Sequence, residues 1–243
     1  MCLSEEAIKF IKKNKKDIVG RFINKDYIKL EENPFSIFMA GSPGAGKTEF
    51  SKNYIKKLDR LLKERGNDGF NIIRMDPDDI RIFLPGYDGK NSHLFQGAVS
   101  LVVNKVYDIA LKKKYNILID GTFSKFEQAK QNIKRSIDKD RIVRIFYIYQ
   151  DPIKAWEFSK KRESEDGRSV PINTFVDDFF DAKDNVNKIK KIFTNSVEVV
   201  LVKKDYKNSI EDFWIDIDDI DSYLKMEYNK KTLIKQLSNY KIC

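Results

Sequence analysis

Residues 41–48 have the composition of a phosphate-binding loop. They read Gly-Ser-Pro-Gly-Ala-Gly-Lys-Thr, which is the complete pattern G-x-x-x-x-G-K-T. The glycines allow positive φ, so successive backbone N–H groups can converge on an anion at the start of a helix. In this motif the lysine reaches the β- and γ-phosphates and the threonine hydroxyl coordinates Mg²⁺. The sequence therefore predicts an ATP and Mg²⁺ site at Gly41, Ser42, Pro43, Gly44, Ala45, Gly46, Lys47 and Thr48.

The motif predicts a bound nucleotide but not the reaction. A GTPase needs an Asn-Lys-x-Asp element to recognise guanine, and the nearest segment, Val202-Lys-Lys-Asp205, has valine in place of the asparagine. A large ATPase usually needs a second partner domain, for which 243 residues leave little room. A compact kinase is therefore favoured. A nucleotide-dependent interaction module is the alternative that is not an enzyme.

Carboxylates follow the second predicted strand, in Met75-Asp-Pro-Asp-Asp-Ile-Arg81. A kinase needs a carboxylate that orients the acceptor hydroxyl and takes its proton. Ligands of parallel sheets bind beyond the carboxyl ends of the strands, which is where these residues are expected. Aspartates in this context also cap helices. Both roles can coexist, so we expect at least one of Asp76, Asp78 and Asp79 to be catalytic.

Another aspartate, Asp120, ends the third predicted strand in Ile119-Asp-Gly-Thr122. An aspartate in this position is the usual partner of the Mg²⁺ bound to the threonine of the loop. Thr48 and Asp120 are therefore predicted metal ligands, and the hydroxyl of Thr122 is placed to reach a substrate. An ordinary turn after a strand would have the same composition.

Two arginines lie close together in Arg162-Glu-Ser-Glu-Asp-Gly-Arg168-Ser-Val-Pro171. Small P-loop kinases have a mobile lid here, whose arginines neutralise charge on the transferred phosphoryl group. A planar guanidinium suits this task better than an ammonium group. We predict a lid near residues 160–171 with Arg162 and Arg168 as catalytic residues. A solvated turn with internal Glu–Arg pairs is the alternative.

Apolar runs of strand length alternate with helical patterns along the chain. Such an alternation indicates right-handed crossovers and a parallel sheet covered on both faces. The predicted fold is α/β: a three-layer α/β/α P-loop NTPase of the small-kinase type, with a lid and a mainly parallel sheet of about five strands, at 35–40, 71–75, 116–119, 142–149 and 197–202. The predicted organisation is a helical N-terminal segment at 1–33, the kinase core at 34–205 and a helical C-terminal extension at 206–243.

Composition and charge limit the class of protein. Neither a membrane-spanning apolar run nor a secretory signal is evident. Cys2 and Cys243 lie at opposite ends, which fits a reducing cytoplasm. The net charge of +9 either attracts a polyanion or reflects lysine spread over nearly every segment. Since no basic stripe or nucleic-acid-binding motif is present, we favour the second explanation and do not expect a nucleic-acid partner.

Taken together, these motifs resemble the zeta-toxin family. The matching segments are Gly41–Thr48, Asp76-Pro-Asp78 with Pro85 downstream, Asp120-Gly-Thr122 and Arg162–Pro171. The resemblance implies a P-loop kinase that phosphorylates the sugar of UDP-N-acetylglucosamine and that a short helical antitoxin inhibits. It also implies that Asp78 is the base, that Arg162 and Arg168 are lid arginines and that Thr122 contacts the substrate. Asp76, Arg81 and Asn104 are further predicted substrate contacts.

Two features depart from the family pattern. The spacing between Arg162 and Arg168 is shorter than in the best-studied members. The helix before the third strand has Asn104 near the position where those members bring an acidic side chain to the amino sugar. Other acceptors therefore remain open, namely another nucleotide-like molecule such as NAD, or the 5′ hydroxyl of a nucleic acid.

Overall fold

The computed structural model describes residues 2–23, 28–225 and 227–240. The helices are α1 (Leu3–Phe22), α2 (Lys47–Glu64), α3 (Pro77–Arg81), α4 (Gln96–Lys112), α5 (Phe126–Ile137), α6 (Pro152–Asp166), α7 (Ile172–Phe193) and α8 (Lys230–Ser238), with 3₁₀ turns at Ser92–Phe95 and Thr194–Ser196. The strands are β1 (Phe35–Ala40), β2 (Ile73–Met75), β3 (Ile117–Ile119), β4 (Ile142–Tyr149), β5 (Glu198–Lys204) and β6 (Ile210–Ile215). All the strands predicted from the sequence are present.

The strands form one mixed sheet in the order β2-β3-β1-β4-β5-β6. β2 pairs with β3 and β4 pairs with β5 in parallel, whereas β6 is antiparallel to β5. β4 and β5 are apolar and buried along most of their length, as parallel strands covered on both faces require. The predicted α/β class is therefore confirmed, with six strands in place of about five.

The chain divides into two compact units, of which the first contains residues up to 36 together with 48–120. Its interior is formed where α4 packs against α1. Both helices bury residues spaced three or four apart, which places them on one face of each helix. The buried residues are Ala7, Ile11, Ile18 and Val19 of α1 and Ala98, Val99, Val102, Val103, Val106, Tyr107, Ala110 and Leu111 of α4.

Residues 92–112, which include α4, form a helix long and apolar enough to cross a membrane by length and composition. Half of this stretch is buried inside the protein. Its buried residues recur three or four apart, and the helix packs against α1 and α3, which is the pattern of a core helix. Cys2, at the start of α1, is free and exposed, and Cys243 lies outside the described residues.

The second unit contains residues 37–47 and the chain from 121 onward. Helices α6, α7 and α8 share an apolar cluster in this unit, centred on Trp156, Phe175 and Leu233. Two tyrosines bind the C-terminal segment to α6. The hydroxyl of Tyr228 donates to Asp151 at 3.0 Å, and that of Tyr240 donates to Glu157 at 3.2 Å. The segment around α8 is therefore a packed part of this unit.

The prediction that residues 206–243 are helical is wrong in part, because β6 occupies Ile210–Ile215. A tight turn precedes this strand, with Asn208 at a positive φ of 64°. The carboxylate of Asp205 closes the turn by accepting hydrogen bonds from the backbone N–H groups of Lys207 and Ser209, at 2.9 and 2.7 Å. The turn directs the chain back along β5, and among the described residues after 205 the α-helix is α8. The domain boundaries near residues 33 and 205 stay a prediction.

Candidate active site

The phosphate-binding loop of the second unit lies on the backbone of β4 and α6. Gly44 has a φ of +74°, and a Cβ atom there would lie 1.9 Å from the carbonyl oxygen of Ala155. A Cβ atom at Gly41 would lie 2.3 Å from the carbonyl oxygen of Ile148. Both distances are far below a van der Waals contact. Only glycine therefore fits at these two positions.

The lysine of the loop is held against the loop itself. Lys47 donates from Nζ to the carbonyl oxygens of Gly41 at 2.9 Å and Ser42 at 2.7 Å. Its ammonium group is thus positioned beside the peptide groups that would surround a phosphate.

Asp178, on α7 in the same unit, interacts electrostatically with Lys47. Burial raises the pKa of Asp178, against a hydrogen bond with Ser124 and the positive charge of Lys47, which both lower it. The sequence does not predict this residue. It lies among Asp177, Asp181 and Asp184 on α7, a set typical of a solvated helix face.

The turn between β5 and β6 also reaches the loop. A Cβ atom at Gly46 would lie 2.7 Å from Oδ1 of Asn208 and 3.4 Å from Cε of Lys204. Lys204 is buried and donates to the carbonyl oxygen of Asn208 at 2.6 Å. The hairpin that the sequence did not predict therefore forms one side of the loop.

Thr122, in the second unit, also lies beside the loop. Its carbonyl oxygen accepts a hydrogen bond from the backbone N–H of Gly41 at 3.1 Å. Its hydroxyl is 2.9 Å from that of Ser124. The structure therefore brings together the loop and one predicted substrate contact.

In the first unit, the helix that follows the loop is linked to the predicted metal ligand Asp120. Ser51, one turn after Thr48, has its hydroxyl 2.9 Å from the carbonyl oxygen of Thr48 and 3.0 Å from Oδ2 of Asp120. The Thr48 hydroxyl and the Asp120 carboxylate are hard oxygen donors of the kind that Mg²⁺ prefers. Among the described residues no group of three or more His, Cys, Asp or Glu side chains could hold a metal ion. A Mg²⁺ ion held by Thr48 and Asp120 would take its remaining ligands from phosphate and water oxygens.

Arg74, in the middle of β2, contacts four side chains, and we refer to the five residues together as the Arg74 network. Its Nη2 lies 2.7 Å from Oδ2 of Asp76 and 2.5 Å from Oδ2 of Asp120. Its Nη1 lies 3.2 Å from Asp79, and its Nε donates to Ser51 at 3.0 Å. Arg74 is not among the site residues predicted from the sequence. The signal that could have identified it is a charged residue within an apolar strand, because such a charge must be compensated when it is buried.

The aspartates after β2 have different partners. Asp76 is the N-cap of α3 and accepts a hydrogen bond from the backbone N–H of Asp78 at 2.9 Å. Burial raises the pKa of Asp76, and the carboxylates of Asp120 and Asp78 raise it further, against the lowering effects of that hydrogen bond and of Arg74. Asp78, in the first turn, forms an ion pair with Arg81. Arg81 also donates to Gln96 at 2.9 Å. The structure therefore brings the candidate base and two predicted substrate contacts together.

The predicted lid residues lie where α6 ends. Arg162 is in the last part of α6, and Arg168 follows Gly167, whose φ of +78° ends the helix. Arg168 donates from Nε and from its backbone N–H to Asp166, at 2.9 and 3.1 Å. The hydrogen bond from the Arg168 side chain lowers the pKa of Asp166. Asn104 is on the exposed side of α4, in the first unit.

Comparison with known proteins gives one family match. The family model described as Zeta toxin matches residues 22–215, which is most of the chain. No protein with a curated functional description matches the sequence.

Several solved structures have a similar fold. A chain from the PezAT chromosomal toxin–antitoxin system of the human pathogen Streptococcus pneumoniae has a TM-score of 0.61 and 17% identity, and the match covers 97% of this chain and 98% of that one. A chain of the AvrRxo1-ORF1:-ORF2 complex has a TM-score of 0.61 and 14% identity, over 96% of this chain and 73% of that one. The same complex with ATP gives a TM-score of 0.57 and 16% identity, over 86% and 64%. At such identities these likenesses show the fold.

Proposed function

The chain belongs to the zeta toxin family of P-loop kinase-type toxins, and from that premise we propose that it transfers the γ-phosphate of ATP to a sugar hydroxyl of a nucleotide sugar such as UDP-N-acetylglucosamine. The observation that carries this proposal is the loop at Gly41–Lys47, in which glycines at positive φ and a lysine amine are arranged for a polyphosphate. The complex with ATP among the similar structures supports ATP as the donor.

Each predicted site residue has a role in this reaction. Lys47 and the loop amides bind the β- and γ-phosphates. Thr48 and Asp120 would hold Mg²⁺, which supplies a counter-charge for the phosphates when it is bound. Asp78 accepts the proton of the acceptor hydroxyl while the oxygen of that hydroxyl bonds to the γ-phosphorus. The bond from the γ-phosphorus to the β-phosphate breaks, and ADP leaves. Arg162 and Arg168 stabilise the charge on the transferred group.

Four side chains are proposed to recognise the acceptor. Asp76, Arg81, Asn104 and Thr122 are the proposed substrate contacts. Arg81 offers a guanidinium, and Asn104 and Thr122 are neutral hydrogen-bonding groups, which suits a polar, phosphorylated acceptor. NAD has the same character and is the first alternative acceptor. The net charge of +9 motivates a second, the 5′ hydroxyl of a nucleic acid.

The proposed setting is the cytoplasm, where ATP and nucleotide sugars are available. The similar structures include a toxin–antitoxin system and a two-component complex, and these support an antitoxin protein as a partner. Co-expression with the product of a neighbouring gene, followed by purification of a stoichiometric complex that lacks kinase activity, would test this part.

Mass spectrometry of the reaction products tests the function. The purified protein is incubated with ATP and Mg²⁺ and, separately, with UDP-N-acetylglucosamine, NAD or an oligonucleotide with a free 5′ hydroxyl. We expect one added phosphate on UDP-N-acetylglucosamine, which Lys47→Met abolishes. Lys56→Met, on the exposed side of the same helix, is the matched control and should stay active. A phosphate on another acceptor would correct the substrate, and no transfer to any acceptor would refute the proposed activity.

A further inference from the structure

We propose that Arg74 is a positioning residue, whose guanidinium acts as an internal cation that fixes the carboxylates of Asp76 and Asp120 before a metal ion binds. The role assigned to Arg74 rests on the proposed kinase function. Neither the phosphate-binding motif nor the segments that resemble the family include this residue.

The contacts of Arg74 come from separate parts of the first unit. Ser51 lies in α2, Asp76 and Asp79 lie at the start of α3, and Asp120 follows β3. The Arg74 side chain is 14% exposed and that of Asp120 is 2% exposed, so water screens these charges poorly. Buried carboxylates that lie near each other repel unless a cation lies between them. A planar guanidinium can donate to several of them at once, which an ammonium group cannot do in the same geometry.

These contacts connect the candidate base to the predicted metal ligands. Asp76 caps the helix that begins the segment carrying Asp78, and it accepts from the backbone N–H of Asp78 itself. Asp120 is joined through Ser51 to the turn of α2 that begins at Thr48. Arg74 therefore fixes both Asp76, beside the candidate base, and Asp120, beside the start of α2. It needs no contact with the substrate to do so.

Arg74 also contacts a carboxylate that is predicted to bind a divalent cation. Its Nη2 lies 2.5 Å from Oδ2 of Asp120. Loss of the positive charge should increase the attraction of Asp76 and Asp120 for a divalent cation. The same loss should loosen the position of Asp78 and slow phosphoryl transfer. Cation affinity and turnover should therefore change in opposite directions, whereas general structural damage would lower both.

Two substitutions in the full chain separate charge from geometry. Arg74→Gln retains N–H donors but removes the charge, and Arg74→Lys retains the charge but removes the planar fork. The control is Arg60→Gln, at a side chain that is 80% exposed on α2. Electron paramagnetic resonance of free Mn²⁺ measures cation affinity in the presence of ADP. Steady-state kinetics with ATP and the acceptor give kcat and KM.

We expect Arg74→Gln to bind Mn²⁺ at least about threefold more tightly than the wild type. Its kcat should fall by about tenfold to a hundredfold, with KM for ATP within about threefold, because the effect is on orientation. Arg74→Lys should keep the Mn²⁺ affinity of the wild type within about twofold and lose less of kcat. Arg60→Gln should change neither quantity.

Unchanged or weaker Mn²⁺ binding by a folded Arg74→Gln protein would overturn the proposal, and so would an unchanged kcat. If thermal melting shows that Arg74→Gln does not fold, Arg74→Lys decides, since a normal kcat in that variant refutes a positioning role. Failure of the proposed function is distinguishable, because it appears as a wild-type protein that phosphorylates no acceptor. The Mn²⁺ titrations report on Arg74 in either case.

Discussion

Two regions of the molecule hold arginines in different ways. In the first unit, Arg74 is 14% exposed and is bound by residues that are distant in sequence, including Ser51 and Asp120. In the second unit, Arg168 is 31% exposed and forms an ion pair with Asp166, only two residues before it. A side chain fixed by several elements cannot move without breaking all its contacts, whereas an exposed local pair contributes little and separates easily. The first arrangement suits a rigid support, and the second suits a segment that must close over phosphates.

The largest loss of activity is expected at Asp78, whose backbone N–H donates to Asp76 of the Arg74 network. Asp78→Asn keeps the size of the side chain but removes the base, so we expect kcat to fall by about 10³-fold with KM for ATP nearly unchanged. Asp88→Asn, an exposed residue beyond α3, is the control. Steady-state kinetics that show a loss below tenfold would remove Asp78 from the chemistry.

A smaller but clear loss is expected in the lid segment. Arg168→Ala should lower kcat by about 10²-fold because a donor to the transferred group is missing. The melting temperature should be nearly unchanged, since the pair with Asp166 is local and exposed. Lys161→Ala, at a side chain that is 71% exposed on α6, should have no effect on kcat. A large fall in melting temperature for Arg168→Ala would contradict the contrast between the two regions.

A pair of serines tests the same contrast by stability alone. Ser51 is fully buried within the Arg74 network, whereas Ser164 is exposed and donates to the carbonyl oxygen of Lys161. We expect Ser51→Ala to lower the free energy of unfolding by about 1–2 kcal/mol, because it leaves buried partners unsatisfied. Ser164→Ala should change it by less than about 0.5 kcal/mol. Urea unfolding measures both values, and equal losses would break the comparison.

The smallest effect is a difference in titration between Asp76 and Asp166. Burial raises the pKa of Asp76, so its ionised form costs stability above that pKa and the cost is relieved as pH falls through it. The side chain of Arg168 lowers the pKa of Asp166, so this pair stabilises the fold above the ordinary pKa and the benefit is lost as pH falls through the folded value. Carboxyl ¹³C chemical shifts should show Asp76 titrating above the ordinary aspartate value and Asp166 below it. The reverse order would show that the two environments have been interpreted wrongly.

Most of the fold could be predicted because its signals are local. The run Phe35–Ala40, the glycines after it and the start of α2 at Lys47 follow from residues adjacent in sequence. β6 could not be predicted in the same way, since its residues are mostly exposed and show no alternation of burial. Asn208 in the preceding turn was the available signal, because asparagine tolerates positive φ.

The candidate site was predictable only to the extent that its residues follow motifs. Asp78, Asp120 and Lys47 could be named from the spacing of the motifs that contain them. Arg74 and Asp178 were missed because their importance depends on neighbours that are distant in the sequence. A charged residue on an apolar strand indicates only that its charge needs a partner, and an acid on a helix face has the composition of a solvated surface. Neither pattern identifies the partner, which only the fold shows.

The close approaches at Gly41 and Gly44 determine which substitutions the loop and its neighbours tolerate as sequences diverge. Each glycine meets a carbonyl oxygen of the main chain, at Ile148 and Ala155, rather than a side chain. The side-chain identities at these two partner positions are therefore not part of the contact, and substitutions there leave it intact as long as the backbone keeps its path. The steric requirement falls on the glycines alone. Because the steric constraint falls on so few positions, two chains can share a fold at only 17% identity, as this chain and the pneumococcal chain do.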